Sequence, residues 1–165
     1  MSSALKNLST YSPETVPNGA KMKIAIVVSE WNHEVTGALK QGARTTLVKH
    51  GVKEEQILLC YVPGSFELPT AAQLVLETQK DVDAVICLGC VIQGETRHFD
   101  FICEAAAQGV KDVSLKYNKP VIFGVLTPNT QQQAMDRAGG KHGNKGDEAA
   151  ITALKMVGLA QTLKD

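Results

Sequence analysis

Aromatic residues are the scarcest class in this 165-residue chain, which has one Trp, three Tyr and four Phe. With so few, the position of each carries information. An excess of either charge is also missing: Lys and Arg number 17, Asp and Glu number 17, and the formal net charge is zero. A general nucleic-acid binder or a polybasic membrane-surface protein needs a basic excess, so neither is expected, although a local basic patch stays open. Long apolar runs are absent. The longest, Ala84 to Ile92, falls far short of the ~18 residues that cross a bilayer. The first twenty residues contain no apolar stretch of the secretory kind, so a reducing, cytoplasmic setting is expected. Cysteine is sparse, and three of Cys60, Cys87, Cys90 and Cys103 fall in apolar runs suited to buried free thiols.

What is present describes an ordinary globular domain, with 44% hydrophobic and 21% charged residues. Residues 1–20, rich in Ser, Thr, Pro and Asn, show no period and read as a flexible arm. Residues 21–165 read as a single domain in which strand and helix signals alternate. Apolar, β-branched runs start near Lys23, Ile57, Ala84 and Val121. Between them, Val35, Leu39, Ala43 and Leu47 recur at helical spacing, with Asn32 as the expected N-cap and Gly51 as the stop. A second helix is expected from Ser65 to about Lys80. A third is expected from Thr96 to Tyr117, burying Phe99, Cys103, Ala106, Val110 and Val113. Thr130 and Gln133 form a capping box. Gly139 to Gly146 reads as a linker, and Asp147 as the cap of a last helix that turns Ile151, Leu154 and Val157 inward. Apolar strands alternating with helices predict an α/β fold: a three-layer αβα sandwich around a flavodoxin-like, four-stranded parallel sheet of order 2-1-3-4. Ligands of such sheets bind beyond the carboxyl ends of the strands.

Those ends hold the distinctive residues. Trp31, the only Trp, follows the first strand, where it is either a packing residue or a flat wall for a planar ligand. Pro63-Gly64-Ser65-Phe66-Glu67-Leu68-Pro69 follows the second. Glycine there admits a ligand to the backbone, and Glu67 either complements the helix dipole or accepts bonds from ligand hydroxyls. Gly89-Cys90-Val91-Ile92-Gln93-Gly94-Glu95-Thr96-Arg97-His98 follows the third. A nucleoside-triphosphate loop needs Lys where Glu95 stands, yet the Glu95 and Thr96 amides at a helix start suit a phosphate. His98 is then either a surface histidine or a general base, since a helix start favours neutral imidazole. Arg137 and Lys145 flank the glycine-rich linker, either as solvated charges or as a second grip on phosphate. Cys87 and Cys90 spell C-x-x-C, but a spacing of three along a strand turns the thiols to opposite faces, which disfavours a redox pair. A zinc site from Cys60, Cys87, Cys90 and His98 lacks paired ligand spacing. The residues alone support a domain that binds a small phosphorylated, planar ligand and leave the reaction open.

Taken together, the segments around Trp31-Asn32, Pro63–Pro69, Gly89–Asp100, Phe123–Thr127, Arg137-Ala138-Gly139 and Asn144-Lys145-Gly146 resemble the 6,7-dimethyl-8-ribityllumazine synthase family of riboflavin biosynthesis. The match runs in register from about Lys23 to the last helix. The resemblance implies a cofactor-free, metal-free, transferase-class condensation of 5-amino-6-(D-ribitylamino)uracil with 3,4-dihydroxy-2-butanone 4-phosphate. It implies that Trp31 stacks on the pyrimidine and that Ser65, Phe66 and Glu67 hold the ribityl side. Cys90, Val91 and Ile92 would meet the pyrimidine edge. Glu95 and Thr96 would hold phosphate through backbone amides, with Arg137 completing the grip and Lys145 accessory to it. His98 would transfer protons, and Phe123 would close the pocket from a neighbouring subunit. Family members form pentamers, and the absence of an insertion between Arg137 and Asn144 points to a sixty-subunit icosahedral shell. Riboflavin synthase is an expected partner. Gln93 stands where many relatives carry Arg or Lys, Trp31 replaces a common Phe, and Glu95 must turn its carboxylate away from the anion. A flavodoxin-type carrier and an inactive shell are the rival readings.

Overall fold

Residue 7 and residues 9–164 are described by the computed structural model of the chain. The central sheet consists of β1 (Ile24–Ser29), β2 (Ile57–Val62), β3 (Ala84–Cys90) and β4 (Val121–Leu126). All pairings are parallel, and the order is β2-β1-β3-β4, as the alternating pattern predicts. Strand side chains alternate between two cores. Ile24, Ile26 and Val28 of β1, with Ile86, Leu88 and Cys90 of β3, face helices α1 (His33–Lys49) and α5 (Lys145–Thr162). Ala25, Val27, Val85 and Cys87 face α2 (Leu68–Thr78) and α3 (His98–Tyr117). Every residue of β1 and β3 is buried. At roughly 1.5–3 kcal/mol for each buried large aliphatic side chain, these two strands anchor the fold. Cys87 and Cys90 face opposite layers, and burial pushes both thiols up to about 12.

The helices α1 and α5 meet closely. A Cβ on Gly146 would lie 1.9 Å from the Leu39 carbonyl oxygen, so only glycine permits this crossing. Gly51 ends α1 at a φ of +96°, as a C′ glycine does. Between β4 and α5 lie the short helix α4 (Gln131–Asp136) and a small antiparallel ribbon of β5 (Ala138–Gly140) and β6 (Gly143–Asn144). The expected linker is therefore a hairpin, because Gly139 and Gly143 adopt positive φ and turn the chain back on itself. Asn144, not Asp147, caps α5. Its Oδ1 accepts from the Gly146 amide at 2.8 Å, while Asp147 accepts from the Thr46 hydroxyl at 3.2 Å. Thr130 caps α4 as expected, accepting from the Gln133 amide.

Two other expectations shift. The second helix opens as a 3-10 turn over Ser65–Glu67 before α2 begins. The buried stripe of α3 is confined to Ala106, Val110 and Val113. Phe99 and Cys103 are only half-buried, because the first turns of α3 project past the end of the sheet. Part of the expected arm, residues 1–6 and 8, lies outside the described residues. Within the remainder, Ser9 Oγ donates to the Asn144 carbonyl at 3.0 Å, Tyr11 bonds His50 Nε2 at 2.9 Å, and Val16 packs on the α1–α5 core. Among the described residues no helix is long and apolar enough to cross a membrane.

Candidate functional site

The sheet order reverses between β1 and β3: the chain leaves β1 towards one edge and β3 towards the other. Such a switch point opens a crevice at the carboxyl ends of the strands. A cleft of about 580 Å³ lies there. Each wall comes from a different strand end. Trp31 and Asn32 follow β1, Gly64 to Glu67 follow β2, and Cys90 to Ile92 end β3. Gly94, Thr96, His98, Phe99 and Ile102 come from the loop into α3 and its first turns.

The turns are tied to one another by main-chain bonds. The Glu30 amide donates to the Val62 carbonyl at 2.8 Å, and the Trp31 amide to the Pro63 carbonyl at 3.2 Å. The Val91 amide donates to Leu126, and the Gln93 amide to Pro128. Gly89 lets β3 approach the second turn, since a Cβ there would sit 2.5 Å from Ser65 Oγ. Ser65 is accordingly buried. Glu67 Oε2 accepts from the Gly64 amide at 3.0 Å and closes its own turn. Oε1 of Glu67 takes no bond from the described residues. Trp31 is 73% exposed and Phe66 56% exposed, an unusual cost for large aromatics. Both line the cleft instead of filling a core.

The α3 end supplies donors. The amides of Gly94, Glu95, Thr96 and Arg97 donate no hydrogen bond to the described residues. Together with the start of a 20-residue helix they present the kind of donor row that suits an anion. The Glu95 side chain is exposed and does not line the cleft, as an anion at those amides requires. The His98 imidazole stands at the same rim.

Three expected site residues lie elsewhere. Phe123 is the third residue of β4, paired in register with Cys87, and not at a strand's carboxyl end. Because β4 is an edge strand, Phe123 lines a second cavity of about 340 Å³ with Lys145 and Glu148. Arg137 Nη2 contacts Glu148 Oε1 at 2.9 Å, and Lys145 Nζ contacts Oε2 at 3.1 Å. One carboxylate thus holds both cations, leaving the half-buried cluster one net positive charge. Arg137 Nε is buried with no partner among the described residues. Glu148 does not stand out in the sequence, since an acidic residue in a helix's first turn looks like simple dipole matching. Its only signal was the i,i+3 spacing from Lys145. Asn32 likewise differs from its expected role as a cap. The Asn32 side chain makes no cap bond, and its amide donates to the Cys90 carbonyl at 2.9 Å.

A family model described as 6,7-dimethyl-8-ribityllumazine synthase matches residues 21–161. Curated relatives carry the same description, among them three bacterial proteins. One from Cytophaga hutchinsonii is 63% identical, covering 99% of this chain and all of its own length. One from Parabacteroides distasonis is 53% identical over 97% of this chain and 99% of its own. One from Porphyromonas gingivalis is 54% identical over 96% of this chain and 98% of its own.

Proposed function

Since the chain belongs to the 6,7-dimethyl-8-ribityllumazine synthase family, we propose that its cleft joins 5-amino-6-(D-ribitylamino)uracil to 3,4-dihydroxy-2-butanone 4-phosphate. The product is the lumazine, formed in the penultimate step of riboflavin biosynthesis. The observation that carries this reading is one cleft uniting an exposed flat wall, a row of unpartnered amides and an imidazole.

In this reading Trp31 stacks on the pyrimidine, and its indole adds a large contact area at low entropic cost. Cys90, Val91 and Ile92 meet the pyrimidine edge through their backbone. Ser65 and Phe66 flank the ribityl chain, and Glu67 accepts from its hydroxyls with the oxygen left over from its turn. The Glu95 and Thr96 amides hold the phosphate, whose departure they assist by taking up developing charge. His98 moves the proton that elimination and ring closure require. Holding two substrates face to face supplies much of the remaining acceleration. The chemistry needs no added cofactor.

Phe123, Arg137 and Lys145 belong to the same reaction if a neighbouring copy presents its β4 edge to this cleft. Phe123 then covers the ring, Arg137 completes the phosphate grip, and Lys145 adds accessory charge. This composite site is the reason for proposing a pentamer, and the tight hairpin after Arg137 favours a sixty-subunit shell. Riboflavin synthase, which consumes the product, is the proposed partner, in the cytoplasm. Supplying both substrates should yield the lumazine chromophore and free phosphate. No product between about pH 6 and 8, the range around histidine's ordinary pKa, overturns the enzyme. A tightly held flavin chromophore in the purified protein favours a carrier instead. A pentamer mass by ultracentrifugation in fresh, dilute protein counts against the shell.

A further inference from the structure

We infer that Asn32 is a positioning residue that fixes the Trp31 wall to the end of β3, so that the pyrimidine slot has a set width. This rests on the reading of the cleft above. The last β1–β3 pair is Val28 with Leu88, and beyond it the two strands part. The Cys90 carbonyl on that side has lost its ladder partner. The Asn32 side-chain amide replaces the missing rung at 2.9 Å. On the other side the next residue is pinned by its own amide, which donates to Leu126 at 2.8 Å. The end of β3 is therefore held from both flanks, and the β1 flank depends on one side chain.

The residue type follows from two demands at once. The backbone at position 32 is left-handed, with φ of 58° and ψ of 46°. Glycine, asparagine and aspartate tolerate that region best. Of these, only asparagine also carries an N–H donor for a carbonyl. The Asn32 backbone carbonyl meanwhile accepts from Val35 and Thr36 and starts α1 in the ordinary way. Trp31 itself is mostly exposed, so packing within the chain does not hold it. Its place is set by its amide bond to Pro63 and by the Asn32 tie next to it.

Two variants isolate the tie. Asn32→Gly keeps the left-handed backbone and deletes the donor. Asn32→Asp keeps shape and backbone but faces a carbonyl with an acceptor. Both should raise the KM for the ribitylaminouracil roughly tenfold, the loss expected when a buried carbonyl goes unpaired. The KM for the butanone phosphate should stay within about twofold, because its cradle lies on the α3 side, outside the hydrogen bond that is lost. Trp31 is the chain's single Trp, so its fluorescence reports the wall without any turnover. In both variants the ligand-free anisotropy should fall and acrylamide quenching should rise. Unchanged fluorescence and an unchanged pyrimidine KM in Asn32→Gly overturn the inference, as does an equal rise in both KM values. If Asn32→Gly fails to fold, Asn32→Asp decides by the same readouts. A wild-type protein that forms no lumazine refutes the function instead, and the fluorescence comparison still decides the tie.

Discussion

The cleft and the Arg137–Lys145–Glu148 cluster hold polar groups in opposite ways. In the cleft, donors are left open: four consecutive amides before α3 have no partner among the described residues, and Trp31 and Phe66 stay exposed. In the cluster, both cations are already engaged, because Glu148 bridges them at 2.9 and 3.1 Å, and one net positive charge remains. Backbone amides are rigid and need no counter-charge. Two cations on side chains need one, or they repel each other and the fold. The cleft therefore offers open backbone donors, whereas the cluster offers side-chain charge that is already partly engaged by Glu148.

That contrast is open to attack. The largest effect should come from His98→Ala, lowering turnover by roughly 10²–10⁴, the range of general acid–base catalysis. Unchanged circular dichroism with unchanged turnover would remove His98 from the chemistry. Gly146→Ala comes next and strikes the support of the cluster. Its Cβ meets the Leu39 carbonyl oxygen, and stability by denaturant titration should fall by about 1–3 kcal/mol. A variant as stable as the parent would mean that α1 and α5 can separate freely. Trp31→Ala should weaken the pyrimidine substrate by about 1–3 kcal/mol, as loss of an aromatic stacking surface does. Isothermal titration giving equal affinities would assign the wall to another residue.

Arg137→Ala should raise the KM for the phosphorylated substrate roughly tenfold, the scale of one charge-assisted hydrogen bond, and leave pyrimidine affinity alone. If the pyrimidine KM moves instead, the cluster serves a different part of the reaction. The smallest effect concerns pH. Burial raises the Asp147 carboxyl above its ordinary 3.8, against a lowering by the Thr46 hydroxyl bond. The folded chain then binds this proton more tightly than the unfolded one. Stability from Asp147 is complete below 3.8 and is lost as pH rises through the raised folded value. Asp147→Asn should flatten the stability curve just above that point and leave the variant slightly firmer at neutral pH. Parallel curves for both proteins would show that Asp147 does not titrate with folding.

Much of this architecture was legible in one dimension. β1 and β3 were readable because fully apolar, β-branched runs have one stable home, the middle of a covered parallel sheet. Their order followed from short right-handed crossovers. Trp31, Glu67, Cys90 and His98 were legible as neighbours because each follows a strand, and parallel strands gather their carboxyl ends. Other features were not. The run from Gly139 to Gly146 looked like a linker because glycine marks flexibility and reversal alike, and only pairing distinguishes a hairpin. Asn32 looked like a cap because its local sequence matches one. The partner that claims its side chain, Cys90, is 58 residues away.

By itself, then, the sequence determined the layers, the strand order and the end of the sheet where the cleft opens. These depend on local period and chain connectivity. The tertiary structure alone decided which polar groups are spent and which remain free. Glu67 commits one oxygen to its turn and leaves the other without a partner among the described residues, Glu148 occupies Arg137 and Lys145, and Asn32 replaces a lost strand rung. Hydrogen bonds and ion pairs act over about 3 Å. Their partners are set by where the folded backbone brings side chains, a distance that spacing along the chain does not encode.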